Sequence, residues 1–421
     1  MPDIQAVKGT RDFYPKEMAF RTWLYDRIRQ VSTSYGYQEY DAPFLERLEL
    51  YAAKSGEELV KEQSFVFPDR SGDMLTLRPE LTPSLARMVA ARVKTLPAPI
   101  RWWSFGPCWR YENPQKGRTR EFFQWNIDLI GLDTPAIDAE LAGIAASFFD
   151  LLGLSPDDVQ IMVNSRRLVD QQLADLGVPP ERRPELYHLI DRRDRMTSAA
   201  WDAYAQENGV DGALLSGIHD MLADEGAWKK SEDLTAFFEA SKAMGTDGYL
   251  RFDPRIIRGL DYYTGIVFEA RDVKGEQRAI LGGGRYDNLV ADVGGDSVPA
   301  TGFAMGDVVI ELVLEAAGAM PSLNPAPAQV LVTNFDPALE AKSLSLANEL
   351  RQAGFRAEWY PESARMGKQL KYADRYGIPL VVILGPEEDA AGTITLKDMQ
   401  TGDQATFSRQ ALKDEIQRRL A

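Results

Sequence analysis

The sequence predicts a mixed α+β protein. A sheet-based domain over residues 1–325 is interrupted by a helical insertion at about 168–244, and a smaller α/β domain follows over 326–421. Three observations predict it. Strand-like stretches at 101–108 and 121–131 flank a polar, basic loop and read as a long hairpin. From about 168 to 244 the chain is helical and charged, punctuated by Pro179-Pro180 and Gly209. After a linker at 318–328, carrying Pro321, Pro325 and Pro327, continuous apolar runs alternate with helical ones, the pattern of a parallel-rich sheet covered by helices.

At 421 residues there is enough chain for two or three hydrophobic cores, and 44% apolar with 26% charged residues is ordinary globular composition. With Cys108 the single cysteine, no intrachain disulfide can form, and a reducing compartment is expected. His188 and His219, the only histidines, stand far from Cys108, which argues against structural zinc and against a Ser-His-Asp or Cys-His mechanism. No metal-ligating protein cluster is predicted. Met1-Pro2-Asp3-Ile4 lacks the features of a secretion signal, and no apolar run approaches membrane-spanning length, so a cytoplasmic protein without a membrane partner is expected. The formal net charge of -15 argues against a non-specific nucleic-acid coat but leaves room for local patches. One such patch runs from Arg101 to Arg120, where Arg101, Arg110, Lys116, Arg118 and Arg120 meet Glu112 alone.

In chain order, apolar residues at helical spacing (Phe20, Leu24, Ile28, Val31) predict a helix over 16–35, followed by a strand at 39–46 that Pro43 confines to a sheet edge or an interface. A short strand at 74–77 leads to Arg78-Pro79-Glu80-Leu81-Thr82-Pro83 and a helix over 84–94, for which Thr82 and Ser84 are both cap candidates. The hairpin carries Arg110 on one arm and Arg118 near its tip. Arginine suits polyphosphate, because its planar fork can pair with two oxygens and stays charged. On the returning arm Gln124, Asn126 and Asp128 alternate with Phe123, Trp125, Ile127 and Leu129, so a polar file faces a lined cavity. A helix over 134–152 and strands at 159–164 and 249–252 frame the insertion. Arg258-Gly259-Leu260-Asp261-Tyr262-Tyr263-Thr264-Gly265 then sets a guanidinium, a carboxylate and two phenols beside the apolar run 266–268, polar groups that must each find a partner if buried.

Gly282-Gly283-Gly284 after an apolar strand permits positive dihedrals or a close backbone approach to a ligand, and Arg285-Tyr286-Asp287 follows. No dinucleotide fingerprint or Walker sequence occurs, so any ATP needs another architecture. A helix opens at Asp307 after Thr301-Gly302-Phe303-Ala304-Met305-Gly306. In the last domain Asp336 is the expected cap of a helix over 337–353, and a helix near 367–376 carries a basic face of Arg365, Lys368, Lys371 and Arg375.

The octet at 258–265 resembles the motif peculiar to histidyl-tRNA synthetases. The helix, strand and proline near Pro43, the Arg110-x-Glu112 hairpin and the Gly302–Gly306 stretch resemble, in order, the three motifs of class II synthetases. The resemblance implies an antiparallel class II synthetase sheet, a homodimer, a C-terminal anticodon-binding domain, and ligation of L-histidine to tRNA(His) with ATP and Mg2+. It implies Arg258 and Arg110 as the catalytic pair flanking the α-phosphate and the substrate carboxylate, with Arg118 and Glu112 orienting ATP and magnesium. Glu80, Thr82, Gln124 and Asp128 would take the substrate amine, and Tyr262, Tyr263 and Tyr286 would wall the imidazole. Arg365, Lys368 and Lys371 would meet tRNA. The chain departs from the pattern twice. Val308-Val309 stand where most members have Glu-Arg, whose arginine holds the outermost phosphate of ATP, and Asn113 stands where an arginine is common. Two other readings share the fold: a regulatory paralogue serving histidine synthesis, and a tRNA-sensing module without ligase activity.

Overall fold

The computed structural model describes residues 4–52, 63–193, 196–258, 262–334 and 336–420. Gly259, Leu260 and Asp261 of the predicted octet lie outside the described residues. The chain divides into two compact units, residues 1–12 with 22–320 and residues 13–21 with 321–421.

The first unit is built on an eight-stranded sheet among the described residues. Its strands are β1 (Gln38–Glu39), β5 (Ile100–Trp109), β6 (Glu121–Ile130), β7 (Val159–Ser165), β8 (Leu250–Phe252), β9 (Ile266–Asp272), β10 (Leu281–Arg285) and β11 (Ala300–Gly306). They lie in the order β1-β5-β6-β11-β10-β9-β7-β8. All pairings are antiparallel except the two at the edges, β1 with β5 and β7 with β8. A small second sheet joins β2 (Leu45–Arg47), β3 (Val66–Pro68) and β4 (Met74–Leu77). The single strand expected at 39–46 is broken: Glu39 belongs to the edge strand β1, Leu45 and Glu46 belong to β2 of the small sheet, and Pro43 lies in the irregular chain between them.

One face of the large sheet is apolar and packs on the helix Pro135–Leu151, which buries Ile137, Leu141, Ile144 and Phe148 at helical spacing. Trp125 is the centre of this layer, with ring centroids 4.9 Å from Phe148 and 4.8 Å from Phe303. The insertion forms helices at Arg166–Asp175, Arg183–Asp191, Ser198–Glu207, Gly212–Ala223 and Glu232–Ala243. The first four enclose a core of their own around Trp201, whose indole N–H donates to the Leu189 carbonyl at 2.8 Å, while Glu232–Ala243 packs on the helix Pro135–Leu151. The helix Thr82–Arg92 starts earlier than the spacing suggested. Its cap position is Leu81, without a side-chain hydrogen bond, so neither Thr82 nor Ser84 caps it and Pro83 lies in the first turn.

In the second unit β12 (Val330–Val332), β13 (Ala357–Trp359), β14 (Leu380–Ile383), β15 (Thr393–Asp398) and β16 (Gln404–Ser408) form a sheet in the order β13-β12-β14-β15-β16. The first three are parallel and the last two close the sheet as an antiparallel hairpin. Val330 and Val332 pack with Leu346, Leu350, Leu412 and Ile416, while Leu331 packs with Ala373 on the other side, as strand alternation demands. Asp336 accepts from the Ala338 amide at 2.9 Å as expected, but it caps a short 3-10 turn, Pro337–Leu339, before the α-helix Glu340–Gln352 begins.

Candidate active site

Directly opposed residues of an antiparallel pair share a face, so the register maps the polar file across the sheet. Three rows result. Gly106 opposes Gln124, which opposes Gly306; Ser104, Asn126, Ala304, Gly282 and Glu269 follow in line; Trp102, Asp128, Gly302, Gly284 and Val267 form the third row. The middle of this face is floored by glycine and alanine from β10 and β11 alone. It is a trough, walled by Gln124, Asn126 and Asp128 on one side and Glu269 on the other.

Arg258 lies across this floor. A Cβ on Gly282 would meet its guanidinium, and Arg258 forms an ion pair with Glu269. The glycine run therefore serves a close approach, but to the protein's own arginine and to neighbouring strands: a Cβ on Gly283 would meet the Gly302 carbonyl and one on Gly284 the Ile266 carbonyl. Arg258 has φ +62°, the one positive value among non-glycine described residues, a conformation the surroundings must impose. Arg166, at the start of the insertion, imposes it: its Nε donates to the Ile257 carbonyl at 2.9 Å and its Nη2 to the Arg258 carbonyl. Burial pulls the Arg258 pKa down, but the charge of Glu269 and the neighbouring Tyr263 outweigh this and leave it above its ordinary value, so the cation is fixed.

Arg110 reaches the same face from the end of β5. Its Nε donates to the Pro79 carbonyl at 2.9 Å and its guanidinium lies over Phe122, 5.4 Å from the ring centroid. Phe122 opposes Cys108 in the row continuing from Gly106, so Arg110 and Arg258 stand on one face of the sheet. Buried Arg78 secures the loop bearing Glu80 and Thr82, donating to the Pro107 carbonyl at 2.9 Å and the Ala42 carbonyl at 2.8 Å. Glu80 and Thr82 are both buried, and Tyr51 donates to the Glu80 carbonyl at 3.2 Å.

The three phenols gather at one end of the trough. Tyr262 lies 4.9 Å from Tyr263 and 5.9 Å from Tyr286, centroid to centroid. Tyr286 donates to Asp128 Oδ1 at 2.5 Å, which groups Asp128 with the phenols. Burial pushes the Asp128 carboxyl up to about 7, against the pull of that hydrogen bond. Its Oδ2, Asn126 Oδ1 and the Tyr40 hydroxyl are buried without hydrogen-bond partners among the described residues. Such atoms are costly unless a ligand completes them. Cys108 is excluded as a nucleophile at neutral pH, since burial raises its thiol to about 11.

At the hairpin tip Glu112 and Arg118 form an ion pair with each other. Arg101, counted in the basic patch, belongs to the other face, where it pairs with Glu140 of the helix Pro135–Leu151. A cavity of about 90 Å³ also lies away from the trough, at Asp138, Arg285 and Gly265. There Arg285 binds Asp138 at 3.0 Å and locks β10 to that helix. No group of three or more His, Cys, Asp or Glu able to hold a metal occurs among the described residues. In the second unit Lys368, Lys371 and Arg375 are exposed on the helix Met366–Tyr376, whereas Arg365 is the residue before its first turn. Buried Gln369 pins that helix by accepting from the Asn334 amide at 2.8 Å and donating to the Asn334 carbonyl at 2.9 Å.

The histidyl-tRNA synthetase family model matches residues 9–307, and an anticodon-binding domain model matches residues 329–419. The chain belongs to the histidyl-tRNA synthetase family. The histidine--tRNA ligase of Leptospira biflexa is 36% identical over 427 residues, covering 97% of each chain. Among solved structures, the histidyl-tRNA synthetase of Nostoc sp. PCC 7120 superposes over 100% of both chains with a TM-score of 0.86 at 27% identity. An ATP phosphoribosyltransferase regulatory subunit/histidyl-tRNA synthetase from Bacillus halodurans shares the fold, with a TM-score of 0.72 at 22% identity over 87% of this chain and 96% of that one. Against the site predicted from the histidyl-tRNA synthetase motifs, the structure adds Tyr40, Arg78, Arg166 and Glu269, of which only Glu269 left a readable trace, as a charge inside an apolar strand; the close approach expected at the glycine run is made at Gly282 by Arg258.

Proposed function

We propose that the chain is a histidine–tRNA ligase. Histidine's carboxylate attacks the α-phosphorus of ATP, pyrophosphate leaves, and the terminal ribose hydroxyl of tRNA(His) then takes the acyl group from the adenylate with release of AMP. The observation that carries this reading is the shared trough: two guanidiniums, Arg110 and Arg258, over a glycine floor, with a carboxyl and three phenols at one end. Chemistry of this kind rests on positioning and charge neutralisation, which fixed arginines supply.

Asp128 and Tyr286 read the imidazole: its N–H donates to the unpartnered Asp128 Oδ2, so analogues lacking that donor strand a buried polar atom. Glu80, Thr82 and Gln124 take the amine, and Arg118 with Glu112 orients the phosphates. Magnesium comes on ATP, for which one carboxylate such as Glu112 is enough protein ligation. Homodimerisation in the cytoplasm completes the reading, supported by Phe44, Leu45, Phe67 and Met74, apolar yet exposed on or beside the small sheet. No described helix is long and apolar enough to cross a membrane. The match to an anticodon-binding domain favours a ligase over a regulatory paralogue.

The test is exchange of pyrophosphate into ATP with histidine present or absent. Wild-type protein should exchange only with histidine, and Arg258→Ala should abolish exchange while the protein stays folded, because Arg271 still meets Glu269 at 2.5 Å. Near-normal exchange by that variant overturns the assignment.

A further inference from the structure

We propose that Arg278, in the connection between β9 and β10, grips the outer phosphates of ATP. This rests on the ligase reading and gives the outer phosphates a second cation beside Arg118, whose charge Glu112 offsets. A triphosphate carries about four negative charges at neutral pH. Of the arginines at or near the trough, Arg258 is paired with Glu269, Arg118 with Glu112, and Arg11 with Asp307 at 2.7 Å. Each carboxylate offsets the charge of its partner. Arg110, Arg120 and Arg278 form no ion pair among the described residues; Arg110 stands at the β5 side beside Pro79, and Arg120 is engaged by the Glu112 carbonyl and the Tyr111 ring.

Arg278 stands elsewhere. An ideal Cβ on Gly117 would lie 3.8 Å from Arg278 Cδ, from Val309 Cγ2 and from Leu312 Cδ1. Three segments therefore meet at one point: the tip of the hairpin that carries Arg118, the approach to β10, and the first turns of the helix Asp307–Ala317. The register agrees, since Leu281 opposes Met305 and the chain before β10 therefore runs beside the chain after β11. The helix residues nearest this point, Val309 and Leu312, are both apolar. The β9–β10 connection brings a guanidinium, exposed and without a side-chain partner among the described residues. It sits on the far side of the glycine floor from the phenols, where phosphates would extend once the α-phosphate lies between Arg110 and Arg258.

A planar fork on a surface connection can follow the phosphates as they move, and its loss should leave the fold untouched. The experiment is isothermal titration of the full chain with ATP and, separately, with AMP, for wild type, Arg278→Ala and Arg278→Lys, beside the ATP dependence of histidine-dependent pyrophosphate exchange. Removing one charge-assisted contact should weaken ATP by roughly 10- to 100-fold and leave AMP within about twofold, with the lysine variant between and the melting temperature unchanged. ATP affinity within about twofold of wild type in Arg278→Ala, or equal weakening of ATP and AMP, overturns the proposal. Wild-type protein that binds ATP but shows no exchange with histidine contradicts the ligase reading, while the ratio of ATP to AMP affinity still decides the role of Arg278.

Discussion

Replacing Gly282 with alanine should disable the site without unfolding the protein. An ideal Cβ at this position lies 2.6 Å from Arg258 Nη1 and closer still to Nη2 and Cζ. Ordinary contact begins near 3.5 Å, so the guanidinium must retreat by about 1 Å or more. A displacement of that size at a reacting centre costs about 100-fold in rate. The backbone gives no reason for collapse. Gly282 does not have a positive φ, and alanine in a compatible conformation narrows the unfolded ensemble. Glu269, if Arg258 withdraws, keeps Arg271. The assay is histidine-dependent pyrophosphate exchange beside a thermal melt. We expect a loss of about two orders of magnitude in kcat with the melting temperature nearly constant. Because both changes act through one side chain, Arg258→Ala combined with Gly282→Ala should be no worse than Arg258→Ala alone. Exchange within about threefold of wild type, or losses that multiply in the double variant, would refute the reasoning.

Two further outcomes follow from the same geometry. Burial holds the Asp128 carboxyl at about 7 and Asp138 at about 6, above the ordinary value near 3.9, so the native state keeps protons the unfolded chain releases. The stability this brings is full below about pH 4 and is lost as the pH rises towards 7. Asp128→Asn should therefore flatten part of the decline between pH 4 and 7, as read from urea midpoints, and an unchanged slope would count against a protonated Asp128. For the second unit, Lys368→Ala with Lys371→Ala should raise the KM for tRNA and reduce the salt dependence of charging while leaving exchange unchanged; equal loss in both assays would remove these lysines from the tRNA surface.

The sequence showed what is local and hid what depends on strand neighbours. The file Gln124, Asn126, Asp128 was legible because strand periodicity is two and the intervening residues are aromatic or aliphatic. The trough was not, because its floor needs β6 beside β11, strands separated in the chain by the insertion and by helices. Arg101 was grouped with Arg110 by proximity, yet nine residues along a strand is an odd step and places it on the other face with Glu140. Thr82 looked like a cap, but the backbone turns helical at Leu81, which places Thr82 inside the first turn. Arg166 gave no sign at all, since its target is a carbonyl 92 positions away.

The most direct measurement is a crystal structure of the protein with a non-hydrolysable histidyl-adenylate analogue. The account predicts the phosphate-mimicking group between the guanidiniums of Arg110 and Arg258, above Gly282, with the imidazole against Asp128 and Tyr286. An analogue seated outside the trough, or one turned so that its imidazole meets the arginines, would contradict it.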